Sequence, residues 1–324
     1  MGGRFQRASC PPETGSLTWD DYREVHTAGA RVYNGFNLLL IRLFVTLVPR
    51  RLVPPVAFVA GIISYVMATR QREGMRENLR IIAGRDKVEL LLLRSFYQYC
   101  RNWTDVMLMT RLFGHRLQAL IGRRSSHKPL DDALAAGNGA ILVSPHLGNW
   151  ELGGLGLADL GYKVNVLTFR EPDKRVNDLR ERVRSERGIG IIYVDRHDTS
   201  PLAIIEAINA LRRNEVLCLL GERDGSSNTI ELDFFGRSTT FPTGAAYLAL
   251  ASGAPIIPVF VPLEGNKYAT LMDEPIHVRG KHGEHVQAIR SGMESVASVF
   301  ERYIRQYPDQ WYNFFDFWDT GSRT

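Results

Sequence analysis

At 324 residues, with 44% apolar and 23% charged side chains, the chain is long and apolar enough to bury a full core, which excludes a disordered or low-complexity protein. Its net charge of +5 is carried almost wholly by arginine, with six lysines in all. That balance fits either a solvated surface or attraction to an anionic partner such as phosphate head groups, an acidic carrier protein or nucleic acid. Cys10, Cys100 and Cys218 are far apart and have neither CxxC nor Cys/His spacing. A disulfide framework and a zinc site are thereby excluded, and reduced thiols in a cytosolic compartment fit best.

Residues 1–34 form a polar lead-in, and the first thirty lack the apolar core and cleavage site of a signal peptide. Residues 35–48 are apolar apart from Asn37, Arg42 and Thr46; after Pro49-Arg50-Arg51 a second apolar run covers 52–68. Neither reaches the roughly 20 apolar residues of a clean span. Two short helices joined by a basic corner predict a membrane-embedded hairpin or interfacial anchor; the alternative is a pair of buried core helices. Arg70, Arg72, Arg76, Arg80 and Arg85 then punctuate a helical pattern through Met75, Leu79 and Ile82. A cytoplasmic membrane face would carry such a cluster, and so would a salt-bridged helix with Glu73 and Glu77. Helix is predicted to continue over 88–122, with Phe96, Tyr97, Tyr99 and Trp103 as core or interface packing. The helical membrane-associating region is therefore 35–125, and a catalytic region, integrated with it, is expected over 126–324.

From residue 130 apolar strands alternate with helical segments. Strands are predicted at 140–144, 164–169, 190–194, 215–220 and 255–261, and helices at 150–160, 174–187, 201–213, 243–252 and 285–307. This pattern predicts an α/β fold: a buried, mostly parallel sheet with helices on both faces and its chemistry at the carboxyl ends of the strands.

No Rossmann fingerprint, Walker lysine, GxSxG elbow or HExxH pair is present. What stands at the end of the first predicted strand is Ser144-Pro-His146-Leu-Gly-Asn149-Trp-Glu151. Five residues separate His146 from Glu151, about 140° apart on one helix, so they converge only if His146 lies in the loop and Glu151 in the first helical turn. A neutral imidazole held by a carboxylate can take a proton from an attacking hydroxyl, with no serine or cysteine nucleophile. A metal is disfavoured by the same spacing and by the lack of a second histidine nearby. Two further strands end in charge: Arg170 after one, and Glu222-Arg223-Asp224 after the other. These are expected on the same rim, where an arginine binds phosphate or carboxylate; alternatively they pair with neighbouring acids.

His146-Leu-Gly-Asn-Trp-Glu151 resembles the His-x4-Asp/Glu signature of the lysophospholipid and lipid A acyltransferases, in the branch of the lauroyl/myristoyl acyltransferases and phosphatidylinositol mannoside acyltransferase. Asn78-Leu79, Phe169-Arg170-Glu-Pro, Glu222-Arg-Asp224-Gly, Phe234-Phe-Gly236, Pro242-x-Gly244 and Pro308-Asp-Gln310-Trp311 resemble that branch's other blocks, in order, from about residue 35 to the end. The resemblance implies a glycerol-3-phosphate-acyltransferase-like α/β/α sandwich with N-terminal membrane-associating helices. It implies acyl transfer from an acyl carrier protein or coenzyme A thioester to a lipid or glycolipid hydroxyl, in lipid A or related synthesis. His146 would be the base and Glu151 its orienting partner; Asn149, Arg170, Glu222, Arg223 and Asp224 would bind substrates. Glu222 departs from the aspartate usual at the head of its block. The thioester is the co-substrate, with no other cofactor and no metal. The expected partners are the lipid acceptor, the thioester carrier and an anionic membrane surface, not nucleic acid. The expected place is the cytoplasmic face of the bacterial inner membrane, held peripherally or by a single anchor. A non-enzymatic lipid-binding protein and a thioesterase using water are the competing readings.

Overall fold

The computed structural model describes residues 50–109, 112–170, 174–194, 201–223, 228–281 and 283–319. The first apolar run, 35–48, lies outside them. Helix α1 (Val53–Met67) begins with Pro54 and Pro55 in its first turn, where missing N–H donors cost nothing. Helix α2 (Thr69–Ala83) follows at a bend of 98°. No single helix among the described residues is long and apolar enough to cross a membrane. Along α1 only Val53, Ala57 and Gly61 are buried, whereas Phe58, Val59, Ile63, Val66 and Met67 are exposed.

Helix α3 (Glu89–Met109) stops short of the expected 122. Leu112 and Phe113 are non-helical, Gly114 takes φ +52 and ψ −129, and a single turn, α4 (His115–Gln118), leads into strand β1 (Ile121–Arg124). The chain then runs α5 (Lys128–Ala135), β2 (Ala140–Ser144), α6 (Trp150–Asp159), β3 (Val164–Phe169), α7 (Lys174–Ser185), β4 (Gly190–Val194), α8 (Leu202–Arg212) and β5 (Val216–Leu220). A hairpin absent from the expected elements follows, β6 (Thr229–Phe234) and β7 (Arg237–Pro242). After α9 (Gly244–Ser252) come β8 (Ile256–Phe260), β9 (Leu263–Glu264), β10 (Lys267–Met272) and α10 (His285–Gln306).

Among the described residues the main sheet has the order β1-β10-β8-β2-β5-β3-β4, with β9 paired to β10. Every pairing from β8 through β4 is parallel, whereas β10 runs antiparallel to β8 and β9. The expected α/β class and mostly parallel sheet are thus present. All five residues of β2 are buried. Ile141 and Val143 join a cluster with α8, α9 and α10, and Ala140 and Leu142 join another with α5 and α6. Alternate side chains of one strand therefore feed cores on both faces of the sheet, which is why the strand reads as a continuous apolar run. Helix α10 turns Met293, Val296, Ala297, Phe300 and Ile304 inward at three- and four-residue spacing.

Candidate active site

Strands β2 and β5 are parallel neighbours with Ser144 opposite Leu220. Two residues beyond each partner stand His146 and Glu222. The register thus delivers both side chains to one point at the carboxyl edge of the sheet, and Gly221 N–H donates to the Ser144 carbonyl at 3.0 Å to hold the two exits together. Glu222 Oε1 accepts from the His146 backbone N–H and lies against the imidazole Nδ1, both at 2.8 Å. An ionised carboxylate only accepts, so Nδ1 carries the proton and Nε2 keeps its lone pair.

The histidine turn is pinned on both sides. Gly148 N–H donates to the Gln310 carbonyl, Asn149 N–H to the Val261 carbonyl and Tyr312 N–H to the His146 carbonyl. Gly148 has φ +65, and a Cβ there would lie 2.2 Å from the Val261 carbonyl oxygen, so no other residue fits this crossing. The imidazole also meets the edge of Trp150 at 5.2 Å.

Charge on the pair follows from these surroundings. Burial and the Arg223 guanidinium lower the His146 pKa below its usual value, against the pull of Glu222. Burial opposes ionisation of Glu222, but the imidazole, its hydrogen bonds and Arg223 outweigh it and hold the carboxyl at about 2. A neutral imidazole against a charged carboxylate is suited to accepting a proton near neutral pH.

Glu151 was expected to orient this imidazole. It does lie in the first turn of α6 with His146 in the loop before it, yet its carboxylate is bonded to Arg184 of α7 at 2.7 Å. Burial opposes its charge, whereas Arg184 and Arg180 together lower its pKa. The carboxylate in contact with the histidine is Glu222, because strand register brings it there while the helix carries Glu151 toward α7. The Arg184–Glu151 pair is largely buried, with side chains 8% and 15% exposed. Arg184→Met should therefore lower the unfolding free energy by about 3 kcal/mol by leaving a buried charge alone. Adding Glu151→Leu should restore most of it in urea titrations; a single variant as stable as the parent would contradict this.

The remaining expected site residues separate. Asn149 is buried and caps α6, its Oδ1 accepting from Leu152 N–H at 3.0 Å, and it does not line the cavity below. Arg170 is exposed, stacks over the Tyr193 ring at 3.9 Å and faces Glu181 at 3.6 Å, and it does not line the cavity below. Arg223 lines the cavity, its Nε donating to Asn313 Oδ1 at 2.6 Å and its Nη2 to the Tyr312 carbonyl. Asp224 lies outside the described residues. Arg180, Arg184, Tyr312 and Asn313 were not foreseen as site residues. Nothing in the basic helix α7 distinguishes Arg180 and Arg184 from its other arginines except their four-residue spacing.

Beside the imidazole opens a cavity of about 1190 Å³, larger than the ~300–1,000 Å³ of a typical small-ligand pocket. Its walls are mainly apolar, among them Leu142, Leu155, Val166 and Cys218, with His146, Glu151, Arg184 and Arg223 at the polar part. Burial raises the Cys218 thiol to about 12, so it is an inert part of the wall. No group of three or more metal-ligating side chains exists among the described residues. The arrangement offers a proton acceptor, nearby cations and room for a long apolar group.

The family model described as bacterial lipid A biosynthesis acyltransferase matches residues 26–320. A phosphatidylinositol mannoside acyltransferase of Mycobacterium tuberculosis is 30% identical over 251 residues, 74% of this chain and 75% of that protein. The protein of the same name from Mycolicibacterium smegmatis is 28% identical over 247 residues, 74% and 77% of the two chains.

Proposed function

We propose that this chain, which belongs to the bacterial lipid A biosynthesis acyltransferase family and is an acyltransferase, moves a fatty acyl group from a thioester to a hydroxyl of a membrane glycolipid. The observation that carries this reading is the His146–Glu222 pair, whose imidazole lines a large, mainly apolar cavity. Nε2 of His146 removes the proton from the acceptor hydroxyl as its oxygen attacks the thioester carbonyl. The tetrahedral intermediate collapses, the C–S bond breaks, and the thiol leaves with a proton supplied by the imidazolium. Glu222 fixes the tautomer and steadies the imidazolium, as a buried carboxylate does for any histidine base. Arg223 and Arg180 supply positive charge near the developing oxyanion and near anionic parts of the substrates. Acyl carrier protein or coenzyme A carries the thioester in this reading, and the apolar walls take the chain.

The two relatives are named for acyl transfer on phosphatidylinositol mannoside, which supports a sugar hydroxyl as acceptor. Mass spectrometry of total lipids from cells with and without the gene tests this. The reading expects one glycolipid to lose a single acyl chain; unchanged glycolipids with altered free fatty acid would favour hydrolysis instead.

In this reading the fold is of the glycerol-3-phosphate-acyltransferase kind, and the exposed apolar side of α1 rests in the interfacial layer of the bilayer at the cytoplasmic face. Flotation with anionic lipid vesicles is expected for the parent and is expected to fall strongly for the double variant Ile63→Asp, Val66→Asp. Equal flotation of the two would remove this face from the account.

A further inference from the structure

The segment after α10 crosses behind the histidine turn as a strap. Gln310 holds the Leu263 backbone through both ends of its amide, at 2.7 and 2.9 Å. Tyr312 N–H donates to the His146 carbonyl at 2.9 Å, and the Tyr312 carbonyl accepts from Arg223. Asn313 then places Oδ1 on Arg223 Nε at 2.6 Å and Nδ2 at 3.5 Å from Glu222 Oε1. One dipeptide therefore touches the backbone of the candidate base, its carboxylate and the arginine beside it.

What holds that dipeptide from the other side is Asn78 of α2. Its Nδ2 donates to the carbonyls of Asn313 and Phe315, both at 2.7 Å, and its Oδ1 accepts from Phe317 N–H at 2.9 Å. Asn78 is fully buried and does not line the cavity. One turn earlier on the same face, a Cβ on Gly74 would lie 2.6 Å from the Phe315 backbone, so the missing side chain admits the strap. The amide replaces water for three backbone groups that belong to no regular element, which a helix side chain would otherwise leave unpaired.

We propose that Asn78 is a positioning residue for the acyl-transfer site: through the Asn313–Phe317 strap it fixes where Arg223, Glu222 and the His146 backbone stand. It touches neither substrate nor the reacting atoms. The inference rests on the reading of His146 as base, so its test needs a readout that survives if that reading fails. Among the described residues, the charged groups that act on the imidazole are Glu222 and Arg223 after β5 and Arg180 from α7, with Tyr312 of the strap bonded to its backbone.

Asn78→Asp keeps the size of the side chain and the acceptor for Phe317 but removes both donors. Asn78→Ser, with a hydroxyl able to satisfy one carbonyl, is the graded companion. For each, full-length protein is assayed for thiol release from an acyl thioester with lipid acceptor across pH, and the His146 imidazole is titrated by NMR. In the parent the acidic limb is expected below pH 6.5, because burial and Arg223 disfavour the imidazolium. In Asn78→Asp the proposal expects kcat to fall about 10- to 100-fold with KM for the thioester within about twofold. The acidic limb and the imidazole titration are expected to rise by about one unit as Arg223 loses its fixed place. Asn78→Ser should lie between. A soluble variant with parental kcat and an unmoved histidine titration would overturn the proposal. Failure of both variants to fold would overturn it too, by assigning the residue to the fold and not to the site. If the parent releases no thiol, the base reading has failed, and the imidazole titration alone decides the role of Asn78.

Discussion

Replacing His146 by alanine is expected to lower acyl transfer by about 10²- to 10⁴-fold, the range that a positioned general base supplies. The loss should fall on kcat, with KM for the thioester little changed, because the imidazole acts on the proton of the attacking hydroxyl and does not hold the donor chain. Fold should survive, since the side chain is a cavity wall and the turn is held by backbone bonds of Leu147, Gly148 and Asn149 to Pro145, Gln310 and Val261. Steady-state kinetics beside a thermal melt check this. A folded His146→Ala protein with near-parental kcat would remove the base from the mechanism.

Glu222→Gln is expected to cost about 10²-fold or more in kcat, because a neutral amide can present its NH2 to Nδ1 and favour the tautomer with the proton on Nε2. The parent geometry makes the outcome specific. Glu222 Oε1 serves the imidazole and the His146 backbone N–H at once, so the substitution disturbs both the tautomer and the turn. Glu151→Gln makes the contrasting control. Its carboxylate is paired with Arg184, and its replacement should act mainly through that pair and the stability of α6 against α7. Equal kinetic losses from the two glutamines would contradict the assignment of Glu222 as the partner. A parental rate in Glu222→Gln would do so outright.

Much of the sheet was legible in the chain. The runs at 140–144, 164–169 and 190–194 are strands with those bounds, because buried parallel strands are continuous apolar stretches ended by turn residues. The histidine on the loop and Glu151 in the first helical turn were legible for the same reason. Family membership, read from the histidine turn and the blocks that follow it, is borne out by the match over residues 26–320.

The partner of the histidine was not legible. Sequence spacing relates His146 to Glu151, but the contact depends on Ser144 pairing with Leu220, and register between strands 76 residues apart leaves no local trace. The β6–β7 hairpin did leave one. Ile230, Leu232 and Phe234 alternate with Glu231 and Asp233, and Phe235 and Gly236 both take positive φ in the turn. The helix expected through 122 ends at Met109, and Gly114, at φ +52 and ψ −129, stands in non-helical backbone before the single turn of α4. Strand β9, two residues long, is too short to stand out by periodicity, and β10 opens on Lys267 and holds Thr270, so it is not a continuous apolar run. Arg170 matched by position in the chain yet turns to Tyr193, since ending a neighbouring strand does not determine where a long side chain points.

The measurement that bears most directly on the account follows acyl thioester, free thiol, free fatty acid and acylated lipid together, using purified protein with glycolipid-containing vesicles. The account predicts that thiol appears only when acceptor is present, one for each acyl group gained by the glycolipid, and that both products form about 10²- to 10⁴-fold more slowly in His146→Ala. Free fatty acid formed at the same rate with and without acceptor would contradict it.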